Sequence, residues 1–378
     1  MKTFDVAIAG GGLIGGSIAL ELARAGLRVG LFDRQEPGKE ASWASAGILS
    51  PAPESPSMIS LVPLGKASMA LYPEFVSMVE ELSGRTVGFR PKGTLSVLSS
   101  RHAREELSTI VALHHGLGLQ AEPLSGTQVR ELEPYLREDV EAAALRPAEA
   151  SVDNRLLTHA VLECARRSGV EIFAGAGVEA LWREGNTCKG FIVGGERISA
   201  GHTVIAAGCF SAQIQGVENY APVRPAKGQM VSLVCPQAPV ERVLWADEIY
   251  LVPRNDGRIL AGATVEYAGF DKTLTAGGQQ KLLSAAIELV PALKDARVEE
   301  TWAGLRPDSP DHLPILGPTD LKGLMIATGH FRSGVLLAPV TAKLVREWII
   351  LGAASVDCEQ FSPMRFSSAE KQNRASAI

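Results

Sequence analysis

The chain opens with a pattern of apolar runs and glycine breaks that predicts a strand, a helix and a second strand. Residues 6–9 form a short apolar run, apolar positions then recur at helical spacing over 13–23, and a second run covers 29–32. Gly26 separates the helical pattern from the second run. This order predicts a βαβ unit with two parallel, buried strands.

Further along the chain, hydrophobic periodicity predicts more helices and many short strands. Helical patterns cover 61–82, 102–117, 127–133, 152–168, 275–290 and 335–351. Strand-like runs cover 87–98, 140–145, 170–173, 178–182, 187–193, 197–198, 202–208, 223–234, 243–252, 258–264 and 324–327. We expect Pro73 to break its helix and Pro339 to be tolerated only in a first turn. From 300 to 318 the chain is rich in glycine and proline, and no strand or helix is predicted there. The middle runs do not repeat the βαβ order, so they predict an antiparallel sheet in an inserted second domain.

The turn after the first strand carries the chemistry of the βαβ unit. Gly10, Gly12 and Gly15 have the G-x-G-x-x-G spacing, and Asp33 ends the second strand. The glycines provide a tight turn, close approach of a diphosphate and close helix–strand packing, while the helix N-terminus favours negative charge. Asp33 can accept hydrogen bonds from a ribose. Together these features predict a dinucleotide site, and Arg34 leaves both FAD and the 2′-phosphate of NADP open.

Composition and charge exclude several other classes of protein. The net charge is −5 without a basic block, which argues against a nucleic-acid partner. Five scattered cysteines without a C-x-x-C motif suggest neither a disulfide framework nor a metal site, and fit a reducing cytoplasm. The chain enters its first strand without room for a signal peptide, and charges at Lys343, Arg346 and Glu347 interrupt the longest apolar stretch. We therefore expect a cytoplasmic protein without an integral membrane segment, and a homo-oligomer stays open.

Six motifs resemble the D-amino-acid oxidase superfamily of flavoproteins, and within it the glycine oxidases of thiamine biosynthesis. They are AGGGLIGGSIALELARAG (9–26), ASWASAGIL (41–49), VRPAKGQM (223–230), YLVPR (250–254), WAGLRPDSPDHLPILGP (302–318) and ATGHFRSGVLLAPVTAKLV (327–345). The first motif occurs in many nucleotide-binding proteins, whereas the last two are much more specific. The motifs keep the family order and extend over most of the chain.

The resemblance implies a Rossmann-type α/β FAD-binding domain with an inserted α+β substrate domain built on an antiparallel sheet. The FAD-binding domain would comprise 1–85, 143–221 and 302–378, and the substrate domain 86–142 and 222–301. Some relatives, such as monomeric sarcosine oxidase, attach the flavin through a cysteine in the C-terminal part. No cysteine lies between 301 and 341 here, so the resemblance implies that FAD is bound non-covalently. The implied cofactor-binding residues are Gly10, Gly12, Leu13, Ile14, Gly15, Asp33, Arg34, Ser42, Ser45, Ala46, Gly47, Leu49, Val178, Ala207, Gly208, Gly304, Arg306, His330, Phe331, Arg332, Ser333, Gly334 and Val335.

Amine oxidation on a flavin requires that the protein hold the substrate carboxylate and present its α-carbon to the flavin. Arginine suits this task because its planar fork binds both carboxylate oxygens. The resemblance makes Arg306 the carboxylate anchor, with Arg332 and the Tyr250 hydroxyl as neighbours. The helix that begins near Val335 would place its N-terminus by the flavin and stabilise negative charge there.

Several side chains near these motifs have more ordinary interpretations. His330 could act as a base, but a loop-orienting histidine with a backbone hydrogen bond is the preferred interpretation. Arg254 can simply anchor a strand end. Ile48 and Ser50 are expected to border the substrate, and they replace the Met and Gly that glycine oxidases can carry. This difference leaves the preference for glycine over larger amino acids open.

Three functions remain in competition at this stage. The favoured one is an FAD-dependent oxidase of glycine or another small amine such as sarcosine, D-alanine or D-proline, with O₂ as acceptor and H₂O₂ as product. The alternative is a D-amino-acid or proline dehydrogenase that passes electrons to a quinone. A non-catalytic flavin-binding protein is disfavoured because it would not need two arginines for a carboxylate.

Overall fold

The computed structural model describes residues 2–237 and 239–366. Its strands are β1 (Thr3–Ala9), β2 (Val29–Phe32), β3 (Ile48–Leu49), β4 (Thr94–Leu98), β5 (Glu122–Ser125), β6 (Ala142–Arg146), β7 (Ala150–Ser151), β8 (Glu171–Phe173), β9 (Val178–Glu184), β10 (Thr187–Val193), β11 (Glu196–Ile205), β12 (Arg224–Val234), β13 (Val243–Ala246), β14 (Ile249–Pro253), β15 (Arg258–Gly262), β16 (Arg297–Asp308), β17 (Ile315–Pro318) and β18 (Leu324–Thr328). Its helices are α1 (Leu13–Arg24), α2 (Ala41–Ala44), α3 (Val62–Ser83), α4 (Ala103–Gly116), α5 (Gly126–Leu132), α6 (Asn154–Arg167), α7 (Ala276–Leu289) and α8 (Gly334–Ile350).

The first sheet confirms the predicted βαβ unit. Its order is β17-β18-β11-β1-β2-β8, with β1 parallel to both β11 and β2. Ala9 pairs with Ile205 on one side and Phe32 on the other, so the carboxyl ends of these strands meet at one edge. Helices α1, α3, α6 and α8 cover one face of this sheet and bury their apolar stripes against each other. Ligands bind at such an edge in open parallel sheets.

The second sheet confirms the predicted antiparallel sheet. Its order is β16-β12-β15-β14-β13-β4-β6-β5, and among these pairs only β13 and β4 run parallel. It has its own apolar core, against which α7 packs. The strands β12 and β16 form its longest pair, with Gly228 opposite Gly304 and Ala226 opposite Arg306. This pair carries Arg306 towards the first sheet.

Several strand boundaries differ from the predictions. The glycine- and proline-rich stretch from 300, where no strand was predicted, begins within the twelve-residue strand β16, whose backbone pairs with β12 even at Pro307. The run 197–198 and the first four residues of the run 202–208 belong to one continuous strand, β11, which ends at Ile205. Only 94–98 of the predicted strand 87–98 is regular.

The strands β6 and β16 lie in the second sheet, so the expected domain boundaries at 143 and 302 cut through two strands.

Both helical prolines behave differently from the prediction. Helix α3 continues through Pro73 without a break, and Pro339 is the sixth residue of α8 rather than part of its first turn. A proline at 339 has no N–H for the carbonyl of Val335. The Tyr72 hydroxyl donates to that oxygen at 2.5 Å, so the carbonyl is satisfied from a neighbouring helix. Pro339 is therefore tolerated inside α8, which continues through it as a single helix.

Helix α6, predicted over 152–168, begins at a side-chain cap. Asp153 caps α6 by accepting from the backbone N–H groups of Arg155 at 3.0 Å and Leu156 at 3.1 Å. The polar residues 362–378 carry little hydrophobic pattern and predict a frayed tail, but most of them lie outside the described residues. In the described part of the chain, none of the helices has both the length and the apolar character needed to cross a bilayer.

Candidate active site

A cavity of about 620 Å³ lies between the carboxyl edge of the first sheet and one face of the second. Gly10, Gly12 and Asp33 line one end, and Tyr250 and Arg306 line the other. Of the 26 positions predicted to contact cofactor or substrate, all but Gly15 and Leu49 line it. The cavity thus joins the residues predicted to bind a nucleotide, here called the nucleotide end, to those predicted to bind the substrate, called the substrate end.

The nucleotide end is shaped by glycines that leave no room for a side chain. Gly10 has φ +106°, and a Cβ there would lie 2.3 Å from the carbonyl oxygen of Ala206. A Cβ at Gly15 would lie 1.9 Å from the Gly10 carbonyl oxygen, which explains why Gly15 acts through packing and not through the cavity wall. Leu49 is fully buried behind the wall. Gly12 is different, because its Cβ position borders the cavity and meets only Ser42 Oγ, at 3.0 Å.

Asp33 is held at the end of β2 by two backbone donors. Its Oδ2 accepts from Gly11 N at 2.7 Å and its Oδ1 accepts from Gln35 N at 3.0 Å. Burial raises the pKa of this carboxyl group, while the two backbone hydrogen bonds and Arg34 act in the opposite direction. The carboxylate lines the cavity with remaining acceptor capacity, as a ribose partner requires.

Arg34 is already engaged by its neighbours. Its Nη2 donates to Glu40 Oε1 at 2.8 Å, and its guanidinium lies 3.3 Å above the Phe210 ring. Phe270 stacks on Phe210 at 5.0 Å between ring centroids. Because this hydrogen bond and the stacked ring already engage the guanidinium, Arg34 has fewer donors free for a 2′-phosphate, which favours FAD over NADP.

At the far side of the nucleotide end, Cys209 also lines the cavity. Burial raises the pKa of its thiol to about 12, so it is protonated at neutral pH. Since the thiolate is the nucleophile, this cysteine is unsuited to covalent attachment.

The loop before α8 brings backbone donors and a buried histidine to the middle of the cavity. Ser333, Gly334 and Val335 line it at the N-terminus of the helix, where N–H groups and the helix dipole favour negative charge. His330 is buried, and its Nε2 lies 3.1 Å from Thr341 Oγ1. The prediction that His330 hydrogen-bonds to the backbone is therefore wrong, because its partner is the side-chain hydroxyl of Thr341 on α8. The histidine still ties the loop to the helix.

We expect His330→Gln to change the pH dependence of stability and to leave turnover largely intact. Burial lowers the pKa of His330 to about 4 from an ordinary 6.5. Its contribution to the free energy of unfolding is therefore complete above pH 6.5 and declines as the pH falls towards 4. The melting temperature of the variant should fall less steeply over this range than that of the wild type. A loss of kcat by about 100-fold or more would instead make His330 a base.

At the substrate end, Arg306 is half-buried and has no carboxylate partner among the described residues. Its Nη1 donates to the Thr264 carbonyl at 3.2 Å, and its guanidinium lies over Gly228, where a Cβ would be only 2.3 Å from Nη1. Gly228 thus makes room for the arginine. A guanidinium that lines a cavity with donors to spare can bind a substrate carboxylate in bidentate fashion.

Tyr250 lies beside Arg306 on β14. Its hydroxyl is 3.4 Å from Met230 Sδ, a weak acceptor, and Arg306 acts electrostatically on it. Burial raises the pKa of the hydroxyl, so it is protonated at neutral pH and can donate. The structure therefore brings together two of the three groups predicted to hold the substrate carboxylate, Arg306 and Tyr250.

Arg332 is more exposed and is paired with Glu54, which sequence reasoning missed. Both side chains line the cavity near its mouth and keep about a third of their surface accessible. Glu54 lies in the proline-rich stretch after β3, far from Arg332 in the chain, so no local motif identifies the pair. A substrate carboxylate that approaches Arg332 must compete with Glu54.

We expect Glu54→Gln to lower the KM for glycine while kcat stays unchanged. An exposed ion pair contributes roughly 0.2–1 kcal/mol, so the decrease should be no more than about fivefold. Steady-state kinetics at low ionic strength measures it. Glu248→Gln is the matched control, since Glu248 also lines the cavity but pairs with Lys281. A higher KM in Glu54→Gln would show that the carboxylate positions Arg332 productively.

The remaining predicted pocket residues also line the cavity. Ile48 begins the short strand β3, and Ser50 Oγ donates to Glu149 Oε1 at 2.5 Å. Arg254 does not line the cavity: its Nη2 donates to the Ala46 carbonyl at 2.9 Å and to Asn154 Oδ1 at 2.8 Å. This buried arginine holds the 41–49 loop against α6, which agrees with an anchoring role.

Comparison with known proteins agrees with this geometry. The family model described as "DAO: FAD dependent oxidoreductase" matches residues 5–348. The chain belongs to this family. It is an FAD-dependent oxidoreductase, and the glycine-lined nucleotide end, Asp33 and the helix N-terminus of α8 fit that cofactor.

Three relatives show how far the similarity extends. The chain is 36% identical over 352 residues to the bifunctional protein ThiO/ThiG of Trichormus variabilis, covering 92% of this chain and 53% of that protein. It therefore spans about half the length of that relative. The crystal structure of glycine oxidase from Geobacillus kaustophilus has a TM-score of 0.91 at 31% identity, with 97% of this chain and 99% of that chain covered. Iminodiacetate oxidase from Chelativorans sp. BNC1 has a TM-score of 0.85 at 30% identity, covering 95% and 98%.

Proposed function

We propose that this protein oxidises glycine or another small amino acid to the 2-oxo acid. For glycine the balanced reaction is glycine, O₂ and water giving glyoxylate, ammonia and H₂O₂. The observation that carries the proposal is the half-buried Arg306, which lines the same cavity as the nucleotide site and has no carboxylate partner in the described chain. Its relatives named glycine oxidase support the choice of substrate.

Each of the surrounding groups has a role in holding the substrate. Arg306 binds both oxygens of the substrate carboxylate, and the Tyr250 hydroxyl donates to one of them. Arg332 adds positive charge at the mouth once it is released from Glu54. With the carboxylate fixed in this way, a two-carbon amine is oriented without a large apolar pocket. Bound FAD supplies the acceptor for the electrons and hydrogen that leave the amino acid.

The size of the accepted amine follows from the wall beside these groups. Ile48 is branched at Cβ and therefore stiff at χ1, where a methionine would adapt. We infer a preference for glycine, sarcosine, D-alanine and D-proline over D-phenylalanine and D-methionine. One methylene more or less in such a pocket changes transition-state binding by about 1–3 kcal/mol.

Oxygen is the proposed acceptor, and the cytoplasm the proposed location. A FAD-binding unit around the first sheet and a substrate-binding unit around the second are also part of the proposal. The alternative of a dehydrogenase that uses a quinone differs only in the fate of the electrons.

Peroxide release tests the proposal directly. Glycine, sarcosine, D-alanine and D-proline are added in turn to air-saturated, FAD-loaded protein, and H₂O₂ and the 2-oxo acid are measured. We expect stoichiometric peroxide with at least one of them, and a lower kcat/KM for D-phenylalanine. Turnover with an artificial quinone but without peroxide would favour the dehydrogenase. Absence of turnover with both acceptors would overturn the proposal.

A further inference from the structure

We propose that Arg146 forms a second anionic subsite in the cavity, which recognises a carboxylate on the second arm of a dicarboxylic amine. This inference rests on the proposed amine oxidation and specifies its substrate class. Arg146 is 7% exposed, lies on β6 and lines the cavity that also contains Arg306 and Tyr250. It was not among the residues predicted to form the site.

Neighbouring strands carry Arg146 towards Tyr250. Trp245 on β13 lies opposite Tyr250 on the neighbouring strand β14 and, on the other side, opposite Ser96 on β4. The Trp245 and Tyr250 ring centroids are 5.3 Å apart, and the Arg146 guanidinium carbon lies 5.8 Å from the Trp245 ring. Trp245, Ser96 and Arg146 all line the cavity. A continuous wall therefore connects the proposed carboxylate anchor to a second cation.

The Arg146 guanidinium has few hydrogen-bond acceptors for its five N–H groups. Within the described chain its hydrogen bond is from Nη2 to Ser96 Oγ, at 2.7 Å. Its Nε has no hydrogen-bond partner, and neither has Trp245 Nε1. An unpaired buried donor is costly, so a ligand that supplies acceptors here would be favoured.

The acidic side chains around Arg146 do not occupy its N–H donors, so the guanidinium can still bind a ligand carboxylate. Glu149 lies 3.6 Å from Arg146 Nε, but its oxygens accept from Ser50 at 2.5 Å and Thr94 at 2.6 Å. It balances the charge of Arg146 without satisfying its donors, and it does not line the cavity. Asp247 and Glu248 are exposed at the rim, where Glu248 pairs with Lys281. Water screens these rim charges more than the buried guanidinium.

The two arginines, Arg306 and Arg146, determine which class of ligand the cavity would bind. Arg306 takes the carboxylate next to the reacting carbon, and Arg146 takes a carboxylate on the other substituent of the amine. An N-carboxymethyl amine is the shortest member of this class. Iminodiacetate and sarcosine form a matched pair of probes, because they share the secondary amine and one carboxylate and differ only in the second arm.

Two pairs of probes test the subsite with the FAD-loaded protein. The first is the kcat/KM for iminodiacetate and sarcosine. The second is the dissociation constant of their non-oxidisable ether analogues, diglycolate and methoxyacetate, from the perturbed visible spectrum of the bound flavin. We expect wild-type protein to bind diglycolate more tightly than methoxyacetate.

Arg146→Gln should remove this selectivity. We expect the kcat/KM for iminodiacetate to fall at least about tenfold and the dissociation constant of diglycolate to rise in parallel. Values for sarcosine and methoxyacetate should change less than about threefold, and Arg146→Lys should lie in between because it keeps the charge and loses the fork. Arg242→Gln is the control, since Arg242 also has an unpaired buried Nε but does not line this cavity.

Three results would overturn the subsite. The first is that the wild-type protein binds diglycolate no more tightly than methoxyacetate. The second is that Arg146→Gln lowers the kcat/KM for iminodiacetate and for sarcosine by the same factor. The third is that Arg146→Gln changes neither value. The wild-type comparison remains decisive if Arg146→Gln does not fold. Protein that binds diglycolate selectively but oxidises none of the amines would contradict the proposed oxidation and leave the subsite standing.

Discussion

Replacing Arg306 with alanine is expected to raise the KM for glycine strongly while FAD stays bound. Truncation of one partner of a buried, hydrogen-bonded charge pair costs roughly 2–5 kcal/mol, which corresponds to a loss of about 30- to 4000-fold in kcat/KM. The loss should appear mainly in KM because Arg306 holds the carboxylate in both ground and transition states. Steady-state kinetics, with flavin content measured on the same preparation, checks it.

The controls separate this role from general damage. Arg306→Lys should restore only part of the affinity, because a lysine cannot bind both oxygens. Arg224→Ala removes another arginine of the β12–β16 pair that lies outside the cavity, where it pairs with Asp308. An unchanged KM in Arg306→Ala would reject the assignment of this residue.

Gly12→Val is expected to abolish FAD binding while the protein still folds. The Gly12 backbone is extended, with φ −74° and ψ −174°, so a β-branched residue is not strained there. Its Cβ would meet only Ser42 Oγ, whereas the valine methyl groups would occupy the cavity at the N-terminus of α1, where a diphosphate binds. We expect the dissociation constant of FAD to rise at least about 100-fold.

Fluorescence titration of the apoprotein measures this change, and thermal unfolding of the apoprotein shows whether the fold is kept. Gly116→Val is the control, since nothing lies within 4 Å of a Cβ at Gly116 and the site is at the end of α4. Normal FAD affinity in Gly12→Val would mean that the diphosphate does not approach this turn.

The parts of the fold that sequence reasoning predicted are those with a local signal. The βαβ unit is recognisable because strand, glycine turn and helix follow each other within 30 residues. The strand β16 was missed because Gly304 and Pro307 disfavour regular structure locally, whereas eleven paired positions on β12 stabilise it. Helix α8 keeps Pro339 because Tyr72, 263 residues before Val335, supplies the missing donor.

The candidate site follows the same rule. Arg306 and Tyr250 were predicted because they lie in motifs that resemble a family. Glu54 and Arg146 have no motif, and they reach the cavity only through a loop that folds back and through strands paired across the second sheet. Such positions depend on the register of strands that are distant in the chain, which hydrophobic periodicity does not specify.

Anaerobic addition of glycine to the FAD-loaded protein tests the central claim most directly. The account predicts that the yellow colour of the bound flavin is bleached, that one glyoxylate forms per flavin, and that admitted air restores the colour with release of one H₂O₂. At the same subsaturating glycine concentration the flavin of Arg306→Ala should bleach about 30- to 4000-fold more slowly. A wild-type protein that keeps its colour with glycine, sarcosine, D-alanine and D-proline would contradict the account.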